Sequence, residues 1–367
     1  MVTRKQTSQK SQTNIAIRRG LKFIQKFGST RKSFERYGAL LIFCFALLSA
    51  TSREERKQTA QQQALALAKR WRRTHRRLPQ TPSSDLILES AIVCYALARI
   101  GQPNSKLRKE IAVAVNKMDV TDLLGFDPTS EPPPDNLPFD CDCGATNKRG
   151  RKTCRQCRSR LEYRTRYRVW MEVLAKTYLG EQCGFIFGVA YVDVLKWLPR
   201  MRPYPIFTDT SKDDNEQLFD ALYAVTHLIY TLNDYNTRKL DPRCLPAEFA
   251  FLKKNVKTCL LQKNTEVLGE LLDSLKAFGL SLTHALLRQG TDYLLAHQNE
   301  DGSWGDTGED DAETRCHTTW TAIDGLRGWA WRGKKLSSRV TEELLSRSSS
   351  SLASSGKRRR ASNRKYL

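Results

Sequence analysis

The sequence predicts an all-α protein with one small cysteine-held insertion. Three observations predict it. Apolar residues recur at helical spacing in segment after segment, before and after residue 139. No run of alternating residues marks a sheet, apart from two short strands around the cysteines. Cys141, Cys143, Cys154 and Cys157 crowd together between a proline-rich stretch and the next helix. At 367 residues and 40% hydrophobic composition, the chain can build one large core or two small ones.

Residues 1–36 are polar and basic, and Glu35 is the first acid. A leader rich in Arg and Lys and almost free of acids has the composition of an organelle transit segment. Without a repeating apolar face it is expected to be disordered in isolation. The apolar run from Gly38 to Ala50 is short of the roughly 20 residues of a membrane span. It has the length of a signal h-region, with small residues at Ser49 and Ala50 for cleavage, which points to membrane association or the secretory pathway. Organelle transit and a buried first helix are the other two readings. Leader and apolar run together occupy 1–53.

Residues 54–127 form N-terminal helices. The segment 54–77 reads as a solvated helix that Pro79 and Pro82 end, and Ser84 or Asp85 caps a helix over 86–100 that stops at Gly101. The proline-rich residues 128–138 form a linker, and the cysteine segment follows at 139–160. Over 161–345 helix follows helix, at roughly 161–179, 187–198, 214–235, 246–261, 265–278, 280–298 and 312–331. From Ser346 serines and basic residues dominate, and 346–367 is expected to be a disordered basic tail.

The net charge of +22 is unevenly spread. Residues 1–80 hold 19 Lys and Arg against 3 Asp and Glu, and 346–367 hold 7 against none. Between them only 148–168 is strongly basic, with ten basic residues and one acid. This excludes a whole-surface nucleic-acid binder. It leaves RNA contact to the basic segments and an anionic membrane surface to the tails. Ten cysteines, dispersed apart from one cluster, suit reduced thiols plus a metal site rather than a disulfide scaffold.

One motif is sharper than the rest. Gly290, two residues, Tyr293-Leu294, three residues, Gln298, three residues, Gly302, one residue and Trp304 stand at fixed spacing. Read physically, a helix ends at Gln298, Gly302 permits a left-handed turn, Gln298 ties the helix end to that turn, and Trp304 stacks there. The pattern resembles the QW repeat of terpenoid cyclases and protein prenyltransferase β-subunits. The resemblance implies an α/α toroid, a ring of helical hairpins around a central cavity. The chain length suits a single barrel with a small zinc ribbon inserted.

The spacing Cys141-x-Cys143-x10-Cys154-x2-Cys157 is that of a metal site. Four thiolates from two short loops satisfy tetrahedral zinc and leave no open position, so the zinc is structural. With Asn147 at its place between the pairs, the segment resembles the Ran-binding-protein type of zinc finger. Phe139 stands where that family has Trp, and the first pair is one residue short. Lys148, Arg149, Arg151, Lys152, Arg155 and Arg158 surround the cysteines, either to meet phosphates or as a solvated loop.

The candidate catalytic residues are His227, Asp234 and His317. His227, Tyr230 and Asp234 fall at i, i+3 and i+7 on one predicted helix face. They either line a cavity or form a hydrogen-bonded pair within helix packing. His317-Thr318 resembles the segment of prenyltransferase β-subunits that supplies a zinc-ligand histidine. The partner pair there is Asp-x-Cys, whereas Asp241 and Cys244 here have the wrong spacing, and Cys316 is a nearer thiol. A second, catalytic metal is one implication. Squalene-hopene cyclases use an Asp-x-Asp-Asp acid, but Gly308 replaces its first Asp before Glu309-Asp310-Asp311, which disfavours a proton-initiated cyclase. Asp213-Asp214 and Asn233-Asp234 are too sparse for a magnesium motif. The expected function is that of a terpenoid-cyclase-like or prenyltransferase-like enzyme acting on an isoprenoid or other apolar small molecule. The alternative is a non-catalytic toroid scaffold with a structural zinc ribbon that contacts RNA. If the site reading holds, His227 and His317 face one cavity with Asp234 near His227.

Overall fold

Side chains that cap helices fix where several elements begin. A computed structural model of the chain describes residues 4–208 and 212–337, with backbone only at 4–8, 55 and 212–214. The helices are α1 (Arg4–Ser29), α2 (Arg31–Thr51), α3 (Glu54–Thr74), α4 (Ser84–Arg99), α5 (Ser105–Val115) and α6 (Val120–Leu124). Next come strands β1 (Leu137–Pro138) and β2 (Tyr163–Arg164), then α7 (Arg166–Cys183), α8 (Tyr191–Leu195), α9 (Leu198–Met201) and α10 (Lys212–Leu232). A 3₁₀ turn at Pro242–Cys244 precedes α11 (Pro246–Leu261), α12 (Thr265–Ala277), α13 (Ala285–Ala296) and α14 (Ala312–Leu326). Thr30, Thr165, Asn264 and Asp311 each accept a backbone N–H three residues on, which satisfies a donor that α2, α7, α12 and α14 would otherwise leave unpaired. Pro246 opens α11, where its missing N–H costs nothing.

The described chain is therefore all-α apart from the two-residue strand pair. It divides into two compact units that interleave along the sequence. Among the described residues the first comprises 4–78, 92–105 and 232–336, and the second 79–91, 106–208, 212–231 and 337.

In the first unit α1, α2 and α3 pack in succession, and α12 packs on α11, α13 and α14. Helices α12 and α14 cross in backbone contact. A Cβ on Gly269 would lie 2.5 Å from the carbonyl group of Thr321, and one on Gly325 would lie 3.0 Å from Gly269. Below the crossing, buried Lys276 donates to the carbonyl oxygens of Gly325 at 2.9 Å and Arg327 at 2.7 Å, as well as to that of Asp324. Those are orphan acceptors at the end of α14, and an ammonium suits the negative end of the helix. Arg327, 1% exposed, pairs with Asp324 at 2.6 Å, donates to Thr51 Oγ1 at 2.9 Å and lies over the Trp329 ring at 3.5 Å.

The QW-like segment closes the same unit. Trp304 is fully buried, and its Nε1 donates to the Leu294 carbonyl at 2.7 Å. Gln298 Nε2 donates to the carbonyls of Gly302 and Ala16, both at 2.9 Å, so it ties the turn to α1 as well as to its own helix. Gly302 has φ 88°, and Gly20 on α1 lies against the Trp304 ring.

The leader, expected to have no repeating apolar face, has one within its described residues. Ala16, Ile17, Ile24 and Phe27 are buried along one face of α1, which packs on α14, α2 and α13. The short apolar run is the centre of α2, a 21-residue helix long and apolar enough to cross a membrane by composition. Its residues Ile42, Phe45, Ala46 and Leu48 are buried under its neighbours, as in a core helix. Three further boundaries move. The segment 187–198 is not one helix but α8 and the start of α9, α13 begins at Ala285 after a turn over 281–284, and α14 ends at Leu326 rather than 331. The tail at 346–367 lies outside the described residues.

In the second unit α7 is central. Tyr167, Trp170 and Leu174 are buried, and Trp170 Nε1 donates to the Val194 carbonyl at 3.0 Å. The proline-rich stretch is held in place: Trp197 Nε1 and Lys196 Nζ donate to the carbonyls of Pro128 and Thr129, at 2.8 and 3.0 Å. Leu137 pairs with Arg164 and Pro138 with Tyr163, antiparallel, and this short stem carries the cysteine segment.

Two outcomes follow for the first unit. Gly269→Ala is expected to cost more than the roughly 1–3 kcal/mol of ordinary overpacking, because backbone rather than a pliable side chain stands in the way. Gly328→Ala, with nothing within 4 Å, is expected to stay within about 0.5 kcal/mol of wild type. Chemical denaturation of the two variants checks the contrast. The second outcome concerns pH. Burial pushes the Asp273 carboxyl up to about 7. A carboxyl raised in the folded state contributes stability that is present below the ordinary carboxylate range and lost as pH rises through about 7. Burial pushes Lys276 down to about 8, so its contribution is lost in the opposite direction, as pH falls through about 8. The stability of wild type minus that of Asp273→Asn, measured by denaturation across this range, should therefore fall from pH 5 to pH 7.5 (about the range in which a carboxyl so raised titrates).

Candidate functional site

The cysteine cluster is built by two tight turns. Cys141 and Cys143 flank the first, where the Gly144 N–H donates to the Cys141 carbonyl at 2.7 Å and Gly144 has φ 79°. Cys154 and Cys157 flank the second, where Arg158 takes φ 68° and the Cys154 N–H donates to the Ser159 carbonyl at 2.8 Å. Across the loops Cys141 Sγ lies 3.4 Å from Cys157 Sγ, and Cys143 Sγ lies 3.6 Å from Cys154 Sγ. All four sulfurs fall within 4.8 Å of one another. Four ligands at a Zn–S distance of about 2.3 Å stand about 3.8 Å apart, so the set fits one tetrahedral ion.

Asn147 locks the two turns together. Its Nδ2 donates to the Ala145 carbonyl at 2.9 Å and lies 3.6 Å from Cys154 Sγ, while its Oδ1 accepts the Arg155 N–H at 2.9 Å. The N–H groups of Cys157 and Gln156 point at Cys154 and hold its thiol down at about 6. Hydrogen bonds from Ser159 lower Cys157 as well. A turn that favours thiolate is ready to bind a cation. Cys154, Ala145 and Leu161 make a miniature core beneath the sulfurs.

His317 and Asp234 belong to the first unit. His317 Nε2 lies 3.2 Å from Glu266 Oε1 and 4.0 Å from Glu270 Oε1, across the α12–α14 interface. It borders a pocket formed with Ile24, Tyr37, Leu40, Leu41 and Trp320. Its enclosed space is about 10 Å³, room for about one water molecule and far below the roughly 300–1,000 Å³ of most ligand sites. Behind Trp320 the aromatic wall continues. Phe43 lies 6.0 Å from Trp320, 5.0 Å from Tyr235 and 5.8 Å from Tyr95, ring centre to ring centre. Cys44 and Cys316 line the pocket too, and burial pushes the Cys316 thiol up to about 12 and Cys44 well above its ordinary value. Both are therefore protonated and poor nucleophiles at neutral pH.

Asp234 does not share a helix face with His227, because α10 stops at Leu232. Asp234, Tyr235 and Asn236 have φ of 55°, 47° and 65°, a left-handed turn that Asn233 clasps by accepting the Asn236 N–H at 2.8 Å. Short polar side chains that bond locally tolerate this conformation. The Asp234 carboxylate is gripped by Tyr95 OH at 2.9 Å, Arg99 at 2.7 Å and Thr237 Oγ1 at 2.9 Å. In the second unit, His227 Nδ1 bonds the carbonyl of Tyr223 at 2.9 Å, which places the proton of the neutral ring on Nδ1. Its ring meets Tyr230 edge-on at 5.5 Å.

The other carboxylates weighed in the sequence do turn and capping work. Asp311 caps α14, Asp310 accepts the Asp306 N–H at 2.8 Å, and Asp241 is held by Arg243 and Lys335. The side chains of Asp213 and Asp214 lie outside the described residues. Among the described residues the four cysteines are the one set of three or more His, Cys, Asp or Glu side chains with ligand atoms so close together. Glu266 and Glu270 escaped sequence reading. Their i, i+4 spacing on α12 was the available signal, but their partner stands some fifty residues away on another helix.

Comparisons with protein-family models, with curated proteins and with solved structures find no match.

The expected outcome at the cysteine centre is one zinc per chain by elemental analysis. Cys143→Ser should lower that content and speed amide exchange over 139–160, leaving the helical signal of the rest near wild type.

Proposed function

We propose that the chain is a terpenoid-cyclase-like or prenyltransferase-like α/α-toroid protein that takes the end of an isoprenoid or similar apolar chain beside His317, with a structural zinc in a ribbon formed by Cys141, Cys143, Cys154 and Cys157. The observation that carries the ligand reading is the pocket itself. Leucine, isoleucine and aromatic walls converge on one imidazole, and that imidazole is oriented from behind by a carboxylate. Apolar walls with few placed polar groups are the usual make-up of a small-molecule site. With room for about one water molecule, the cleft admits the end of an apolar chain only as its lining side chains move apart, and no polycyclic substrate. QW-type packing of Gln298, Gly302 and Trp304 supports the family likeness, and the sulfur geometry supports the zinc.

The chemistry open to this chain is proton transfer. When His317 Nε2–H donates to Glu266, the pairing fixes the ring and leaves Nδ1 as the acceptor, as a carboxylate does behind a catalytic imidazole. Tyr37 and Trp320 supply π faces, which attract positive charge developing on an apolar substrate. Asp234, bound to Tyr95 and Arg99, positions an aromatic wall rather than carrying protons. His227 is a second acid–base candidate in its own unit.

The second reading is a non-catalytic scaffold in which the cysteine centre is structural or meets RNA. It is favoured by the single ligand set among the described residues and by the basic residues around it. Two zinc ions per chain would instead restore a prenyltransferase-like catalytic metal.

Titration with a fluorescent farnesyl probe tests the ligand reading. Saturable binding is expected, weakened about tenfold, or 1.4 kcal/mol, by Leu41→Trp, which fills the pocket. His317→Gln should retain probe binding while abolishing any turnover. Probe binding that ignores Leu41→Trp, or none at all, would refute the pocket assignment and leave the scaffold reading.

A further inference from the structure

We propose that one end of the α1–α3 layer is a docking surface for the phosphate backbone of duplex nucleic acid. The sequence spreads its N-terminal basic residues over 80 positions, and the fold gathers them. The Arg70 guanidinium near the end of α3 donates to the carbonyls of Gly28, Ser29 and Thr30 at 2.8, 3.3 and 3.2 Å. It also lies over the Phe34 ring at 3.9 Å. These bonds place the last turns of α3 against the α1–α2 turn. Residues 22–36 and 69–77 then meet at one end of the layer, with eleven Lys and Arg against a single acid, Glu35.

Most of this charge is not consumed internally. Arg31 pairs with Glu35 and Arg36 with Glu313. Lys26, Lys32, Arg73 and Arg77 are exposed, and among the described residues no carboxylate pairs with them. So many like charges held together on rigid helices repel one another, and a polyanion relieves that repulsion while releasing its counterions. Seven of the eleven are arginine, whose planar fork matches phosphate oxygens.

The composition of the patch selects its partner. A membrane-inserting surface needs exposed apolar anchors among the cations. The exposed large hydrophobics of the described chain include Ile15 and Val113 but none within 22–77. Single-strand binders offer aromatic plates on which bases stack, whereas Phe27, Phe34 and Trp71 are buried here, and the half-buried Phe23, Tyr37 and His75 are each engaged, by Arg315, Phe27 and Trp71. What is left is charge without insertion and without stacking, which suits the regular phosphate rows of a duplex and reads no base sequence.

The test is fluorescence anisotropy of the full chain with a labelled mixed-sequence DNA duplex of about 20 bp, from about 50 to 200 mM KCl. Wild type should bind with log K falling linearly in log salt. The variant Lys26→Glu/Lys32→Glu/Arg73→Glu/Arg77→Glu should lose at least about tenfold in affinity and flatten the salt slope by about 3, as loss of three to four phosphate contacts implies. The variant Lys148→Glu/Arg151→Glu/Arg155→Glu, in the cysteine segment, should bind within about threefold of wild type, its charges not being among those contacts. Circular dichroism verifies that the variants fold, and Lys32→Gln/Arg77→Gln, a milder pair, should show a smaller loss in the same direction. Any of four results overturns the proposal: no salt-dependent duplex binding, a loss that follows the cysteine-segment variant instead, tighter binding to the single strand than to the duplex, or binding to phosphatidylserine vesicles in preference to the duplex.

Discussion

The backbone contact between α12 and α14 governs the first unit. Two helices approach this closely only where side chains vanish, and Gly269 and Gly325 provide that at the crossing. Such an approach brings the C-terminal carbonyls of α14 into an interior from which water is excluded, where unpaired acceptors are costly. Lys276 answers them from α12, with Asp273 3.7 Å away as its counter-charge. Closeness and charge are thus one constraint. Without the glycines the ammonium would not reach, and without the ammonium the helix end could not be buried.

The candidate pocket inherits its geometry from that crossing. Glu266 and Glu270 on α12 face His317 on α14 because the two helices are held at backbone distance. On the other side α14 meets α1 and α2, which supply Ile24, Tyr37, Leu40 and Leu41. The QW-like turn holds the middle of α14 by the Trp304 N–H, which donates to Thr319 Oγ1 at 3.0 Å, and holds α1 through Gln298. The motif acts as packing that connects three helices, and His317 stands two residues before its contact on α14. The cysteine segment follows a different physics. Its core is a few side chains, too small to order a loop against chain entropy, and its four sulfurs stand close enough together for a metal ion to take the place of hydrophobic burial.

Local features of the sequence were legible where the physics is local. The four cysteine positions, the turn glycine Gly144, the span of α11 and the QW-like turn all follow from spacing and residue type, and they were read correctly. The N-terminal helix was misread because its charge dominates its composition. The buried stripe of Ala16, Ile17, Ile24 and Phe27 is one narrow face among Lys and Arg, and its value depends on α14 being there to cover it. The hydrophobicity of 38–50 has the same ambiguity. An apolar helix buried in protein and one buried in lipid are written alike, and only neighbours decide between them. At Asp234 a local signal was present but overlooked: Asn233-Asp234-Tyr235-Asn236 is rich in residues that accept left-handed backbone.

By itself the sequence determined the helical class, the cysteine cluster and the turns, because backbone propensity, residue spacing and capping act over a few residues. Tertiary structure alone decided that the basic leader is a core helix and that an apolar run is its partner. It also decided that His317 is backed by carboxylates on α12, that Asp234 is a half-buried anchor for Tyr95 and Arg99, and that Arg70 holds the end of α3 against the α1–α2 turn. Those outcomes depend on which faces meet, and the free energy that selects them is the burial of surface between segments far apart in the chain, to which no short window of sequence has access.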